Sequence, residues 1–195
     1  GSMSSTAGNG KSKLQAMIEA ANQFVDIVKA NDKKDGVSIG VVPYAAQVNI
    51  PADLRQQFQV LNLSSWGGVA NQGVPNINCF EFPTAGFNTT AVSLTTPIQM
   101  AAVADAVSST TTNGTVVAPQ APQTHSRACT TNAETTGTAW DDTLVNQVLL
   151  PTKNTDVIKE KISRLTANGN TYIAVGMRWG TALLDEAARP IYDAL

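Results

Sequence analysis

The sequence predicts an α/β fold: a sheet covered by helices and interrupted by a long irregular stretch. Three observations carry this. An amphipathic helical pattern over 13–30 is followed, after a short polar turn, by a largely apolar segment, Val37–Val42. Two more helical patterns, over 155–165 and 172–188, close the chain. Between them, from 51 to 148, periodicity is lost. Alternation of helix and buried strand is the mark of layered α/β architecture. The chain therefore divides into 1–50, an insertion over 51–148, and a continuation over 149–195.

The elements follow in order. Residues 4–12, rich in Ser and Gly, form a loop. The first helix places Leu14, Met17, Ile18, Ala21, Val25 and Val28 on one stripe at helical spacing. Asn31–Gly36 is a polar stop and turn. Val37–Val42 reads as a buried strand, with Pro43 ending it or placing it near an edge. Ala46–Ile50 reads as a second strand that hairpins back. Pro97–Val107 suits a short helix, because Pro is favoured in a first turn. The hydroxyl run 108–112, Asn113-Gly114, the Pro119/Pro122 stretch and 130–138 read as loops. Order returns over Leu144–Leu150, and Pro151 ends that segment. Asn154 is a good N-cap for the helix 155–165, whose apolar face is Val157, Ile158, Ile162 and Leu165. In the last helix, Ile173, Gly176, Met177, Gly180, Leu183 and Leu184 line one side. Glycine costs about 1 kcal/mol in a helix interior, so two on one face predict close packing against the sheet, at Val37–Val42 or a neighbouring strand.

With 195 residues the chain is long enough for one domain with a real core. A net charge of −2 gives no basic field for nucleic acid or an anionic membrane. Charged residues make up 14%, against about 25% in ordinary domains. The deficit is local: between Gln56 and Trp140 the charged residues are Glu81, Asp105, Arg127 and Glu134. Ser, Thr, Asn, Gly, Pro and Ala fill that segment, a composition associated with secreted or surface proteins. No apolar run reaches the roughly 18 residues of a membrane span, and no signal peptide is visible; membrane attachment would need segments outside this sequence. Cys79 and Cys129 are the two cysteines, both in this segment. In an exported context an even count predicts one disulfide, closing a loop of about 50 residues and contributing about 4 kcal/mol by the loop-entropy model. Two free thiols are the alternative.

Near the end of the chain, Leu165-Thr166-Ala167-Asn168-Gly169-Asn170-Thr171-Tyr172-Ile173 runs into Gly176-Met177-Arg178-Trp179-Gly180. An Asn/Gly loop there delivers a threonine hydroxyl to the start of a helix. This stretch resembles the threonine loop of von Willebrand factor A (VWA) domains, in the form found in TadG-like proteins of bacterial Tad/Flp pilus systems. Gly1-Ser2-Met3 matches the tail of the family's Asp-x-Ser/Thr-Gly-Ser-Met motif, and equally the remnant of tag removal. The resemblance covers roughly 1–50 and 150–190.

The resemblance implies a VWA-like (Rossmann-like) sheet and a metal-ion-dependent adhesion site. Thr171 and Ser2 would supply hydroxyls to Mg²⁺, a hard cation that takes oxygen ligands. Thr171 as a simple helix cap is the other reading. Both family carboxylates would lie outside the sequence, and hydroxyls alone hold Mg²⁺ poorly because it sheds its hydration shell reluctantly. Two central family strands would be missing as well. Mg²⁺ is therefore expected in a full-length domain and doubtful in this chain. The implied protein is a non-enzymatic, extracytoplasmic binding module in the periplasm, envelope or surface of a bacterium. Its partners would be envelope proteins, including pilus components. The alternatives are a freestanding surface adhesin and, from another class, a secreted hydrolase built on His125.

The remaining motifs carry little. Gly10-Lys11-Ser12 lacks both the earlier glycine and the preceding strand of a phosphate loop. His125, the single histidine, sits in an unpatterned loop. With Cys79 and Cys129 it lacks the paired spacing of a zinc site. Three Asn-x-Ser/Thr acceptors, at Asn62, Asn88 and Asn113, read as chance hits in an Asn- and Thr-rich chain whose resemblance is to bacterial proteins.

Overall fold

The computed structural model describes residues 2–8, 10–45, 47–61, 65–66, 69–70, 79–82, 84–100, 111–112, 115–116, 146–167 and 171–194. They form a mixed helix and strand structure. Its helices are α1 (Lys13–Asn31), α2 (Ala52–Gln56), α3 (Thr155–Ser163), α4 (Ile173–Leu184) and α5 (Arg189–Ala194). Its strands are β1 (Ile39–Val41), β2 (Val60–Leu61), β3 (Ser65–Trp66), β4 (Val69–Ala70), β5 (Phe80–Glu81), β6 (Ile98–Met100), β7 (Thr111–Thr112), β8 (Thr115–Val116) and β9 (Leu149–Thr152).

The opening helix follows the sequence closely. Ser12 caps α1 by accepting from the Gln15 backbone N–H, and the Gln15 side chain accepts from the Ser12 N–H, a complete capping box. Leu14, Met17, Ile18, Ala21, Val25 and Val28 are all at least half-buried, as the stripe predicts. Asp32 then organises the turn. Its carboxylate accepts from the backbone N–H of Gly36 and Val37 and from Lys29 Nζ. The two backbone bonds, above all that from Val37, hold the Asp32 carboxyl below the usual carboxylate range.

The next strand departs from expectation. It is Ile39–Val41, half-buried at its ends, while Val37 and Ser38 are exposed. The Val37 N–H is already committed to Asp32, so the ladder starts later. The partner is not 46–50 but β9, antiparallel, with Ile39 opposite Thr152 and Val41 opposite Leu149. Residues 47–50 form no hairpin with β1; Val48 and Ile50 are fully buried instead, and Asn49 makes a single parallel bridge to Gln147. Pro151 lies inside β9 rather than ending the segment, which this two-stranded ladder tolerates at an irregular register. Gly40 sits at that irregularity. A Cβ there would lie 3.1 Å from the Leu149 carbonyl oxygen.

The β1–β9 ladder separates two apolar clusters. On one side Ile39, Val41 and Leu149 pack on Val25 of α1 and Ile158 and Ile162 of α3. On the other, Val42 and Leu150 pack on a larger cluster that includes Trp179, Phe58, Phe80, Ile50 and Ile191. Helix α3 is capped as the sequence predicts: Asn154 Oδ1 accepts from the N–H of Asp156 and Val157. Val157, placed on the apolar face, is exposed, since Ile158 and Ile162 meet the sheet.

The middle segment contributes to the larger core. Leu54 of α2, Phe58, Cys79, Phe80 and Ile98 are buried. Residues 98–100 form a strand rather than the start of a helix: β6 pairs with β2 in parallel and with β5 antiparallel, so tertiary pairing overrides the N-terminal proline signal. Thr111–Thr112, expected as loop, pairs with β8. Residues 65–66 and 69–70 pair as well.

The C-terminal helix is also not continuous over 172–188. Asp185 adopts an extended backbone, and its side chain accepts from the Ala187 N–H. That bond caps a 3-10 turn, Glu186–Ala188, and the chain turns into α5. The described residues carry two- and three-stranded sheets, a mixed architecture compatible with the expected α/β class.

Candidate functional site

Helix α4 carries two apolar faces, and this decides where a site lies. Val175, Trp179, Ala182 and Leu183 are buried. Trp179 sits among Phe58, Phe80 and Phe82, with ring centroids 5.9, 5.7 and 5.6 Å away. The Phe58 and Phe82 contacts are edge-on and the Phe80 contact tilted; edge-on aromatic pairs add about 0.5–1.5 kcal/mol each beyond burial. Of the side expected to be buried, Gly176 and Leu183 are buried and three apolar residues are not. Ile173 (60% exposed), Met177 (62%) and Leu184 (84%) point to solvent, with half-exposed Tyr172 at one end. Their spacing, with Gly180 between Met177 and Leu184, makes a continuous stripe along the helix.

The two glycines behave differently. Gly176 is buried, but against Tyr44 and not a strand: a Cβ there would lie 2.5 Å from Tyr44 Cγ and Cδ1. A Cβ at Gly180 meets nothing within 4 Å. The close approach to the sheet is thus corrected to a close approach of one helix turn to the chain just past β1. The backbone agrees, since the Tyr172 N–H donates to the Ala45 carbonyl at 2.8 Å.

Beside the stripe runs a groove of about 410 Å³ between α4 and residues 87–90. Phe87, Ala174 and Met177 form its apolar walls; Thr89, Thr90 and Thr181 add hydroxyl-bearing residues. Arg178 is the charged residue lining it, and Arg178 is only 5% exposed. Its guanidinium carbon lies 5.2 Å from the Phe82 ring centre, a cation–π contact. Nη1 donates to the Thr90 carbonyl. Nη2 donates to the Ala91 carbonyl at 2.6 Å and to Thr89 Oγ1 at 3.3 Å. Nε is buried without a hydrogen-bond partner. Burial pushes the Arg178 pKa down, and Asp185 nearby pushes it partly back. The Thr90 hydroxyl donates to Asp185 Oδ2, which with the Ala187 N–H holds that carboxyl below its ordinary range. Arg178 and Asp185 together pin the 88–91 turn onto α4.

The residues singled out from the sequence lie elsewhere. Thr171 is exposed and does not cap α4. The N-cap position is Tyr172, which makes no side-chain cap bond, because its tie to Ala45 starts the helix one residue later. Ser2 opens an exposed 3-10 turn, Ser2–Ser4, whose carbonyl accepts from Ser5. Among the described residues no hydrogen bond joins Ser2 to Thr171, and no group of three or more His, Cys, Asp or Glu is placed to hold a metal ion. Cys79 is fully buried, and there is no free cysteine among the described residues. Cys129 and His125 lie outside them. Sequence reasoning missed Arg178 and Trp179 as the organising pair. The signal was present in the Met177-Arg178-Trp179 triplet, where a lone cation interrupts an otherwise uncharged helix.

Neither the family models nor the curated proteins nor the solved structures compared with this chain match it.

Proposed function

We propose that the chain is a non-catalytic protein-binding module that works outside the cytoplasm, of the VWA type found in TadG-like pilus assembly proteins. The observation that supports binding is the solvent-facing stripe Ile173, Met177 and Leu184, continuous with the groove beside Met177. Scattered exposed apolar residues are ordinary, but a contiguous patch rimmed by polar residues marks an interaction surface. The low-charge, Ser/Thr/Asn-rich middle segment and the Asn/Gly loop before Thr171 support the extracytoplasmic and family parts of the reading. In this reading the partner is an envelope protein, with pilus components first in line, and apolar contact through α4 replaces a metal bridge in this chain. Mg²⁺ through Ser2 and Thr171 belongs to a longer chain that supplies carboxylates.

Biolayer interferometry of the full chain against purified pilin and other Tad envelope components tests this. Leu184→Asp and Ile173→Asp should weaken binding by about tenfold or more each, the cost of one apolar anchor lost from an interface. Binding that is absent, or indifferent to both changes, would remove the reading.

A further inference from the structure

We propose that the groove between α4 and residues 87–90 receives the C-terminal residue of a partner chain, its carboxylate paired with Arg178 and its aliphatic side chain against Phe87, Ala174 and Met177. This rests on the protein-binding reading and names what part of the partner is held.

The argument is first one of charge. Arg178 is the charged residue lining the groove, so the electrostatic complement of the site is an anion. It is also a cation whose hydrogen-bond acceptors are all neutral: two backbone carbonyls and a hydroxyl. The nearest acid acting on it, Asp185, spends its oxygens on Thr90 and Ala187. A guanidinium has five N–H donors. Three bonds account for three of them, and the Nε–H is buried with none. An unmet donor on a buried cation is costly, and an ionised acceptor makes bonds about twice as strong as neutral ones. A carboxylate is therefore the better partner for this side chain.

The second argument is shape. The walls are apolar, and the volume of about 410 Å³ falls within the range of small-ligand sites, roughly 300–1,000 Å³. A single aliphatic residue with its terminal carboxylate suits that space. Entry requires the Thr90 and Ala91 carbonyls to give up Arg178. Residues Asn88, Thr89 and Thr90 are exposed, so carbonyls released there can hydrate.

Amide-resolved NMR titration of the full chain tests the proposal. The probes are a short acetylated peptide ending in leucine, the same peptide amidated, and sodium acetate. The free-acid peptide should move the Thr90, Ala91, Met177 and Arg178 signals in a saturable way. The amidated peptide should bind about tenfold more weakly or worse, the effect of losing a charge-assisted pair. Thr181→Glu adds a negative charge to the wall without removing any bond of the Arg178 guanidinium, and should abolish the response; Arg178→Lys should weaken it. If Arg178→Lys does not fold, Thr181→Glu decides. Equal binding of acid and amide, or indifference to Thr181→Glu, overturns the proposal. Acetate matching the peptide in affinity shows an adventitious ion only and also overturns it. Leu184→Asp lies outside the groove and should leave peptide binding intact. A peptide that fails to bind while partner binding still depends on Leu184 removes this inference alone. A partner indifferent to Leu184 while the peptide binds removes the stripe reading alone.

Discussion

Gly176 and Gly180 lie four residues apart on one helix, yet alanine should act on them with opposite sign. At Gly180 the added methyl meets nothing within 4 Å. The change then registers as helix propensity and reduced unfolded-state entropy, a gain of about 0.4–1 kcal/mol. At Gly176 the methyl would stand 2.5 Å from Tyr44 Cγ and Cδ1 and 3.0 Å from Cε1. Cγ is the root of the ring and not its free end, so the whole side chain must swing. Overpacking of this kind costs about 1–3 kcal/mol. Set against the same propensity gain, the net is a loss of up to about 2.6 kcal/mol. For a chain of this size each kcal/mol shifts Tm by about 2–4 °C. Thermal melts should therefore show Gly180→Ala rising by a few degrees and Gly176→Ala falling. A double-mutant cycle with Tyr44→Ala isolates the cause, because neighbours in contact couple by about 0.5–3 kcal/mol. In the Tyr44→Ala background Gly176→Ala should become neutral or stabilising. A rise in Tm for Gly176→Ala in the wild-type background, or no coupling to Tyr44, would refute the contact.

Three further outcomes are expected. Asn154→Ala should lower stability by about 1 kcal/mol in urea titration through loss of the α3 cap, while Asn154→Asp should keep most of it. Asp32 and Asp185 both have carboxyls held below the ordinary range, so their contribution is present above that range and is lost as pH falls through their lowered folded values. Acid melts should thus flatten in Asp32→Asn. Without reductant, thiol titration of the unfolded chain should find no reactive sulfhydryl, and reduction should cost about 4 kcal/mol if Cys79 pairs with Cys129.

What was legible in the sequence was local. The α1 stripe needs only a 3.6-residue period, and the Asn154 cap needs only its neighbours two and three residues on. What was not legible was set by distant contacts. Helix α4 has an apolar residue on nearly every side, so periodicity could not choose between Ile173–Met177–Leu184 and Val175–Trp179–Leu183. The choice is made by Phe58, Phe80 and Phe82, which come from a segment without periodicity of its own. Likewise β1 finds its partner far along the chain, because Asp32 and Pro43 bracket it too tightly for a local hairpin.

That distant pairing has a consequence for how the chain acquires its shape. Strands β1 and β9 are about 110 residues apart, and each side of their ladder seats a different apolar cluster. Neither cluster can close until the later strand has been synthesised, and the entropy of bringing the two strands together is lost before any contact rewards it. Folding should be slow and late, with helix α1 waiting in the nascent chain until β9 and α3 follow. A polypeptide whose first strand must wait for a partner about 110 residues later remains threadable until that partner emerges.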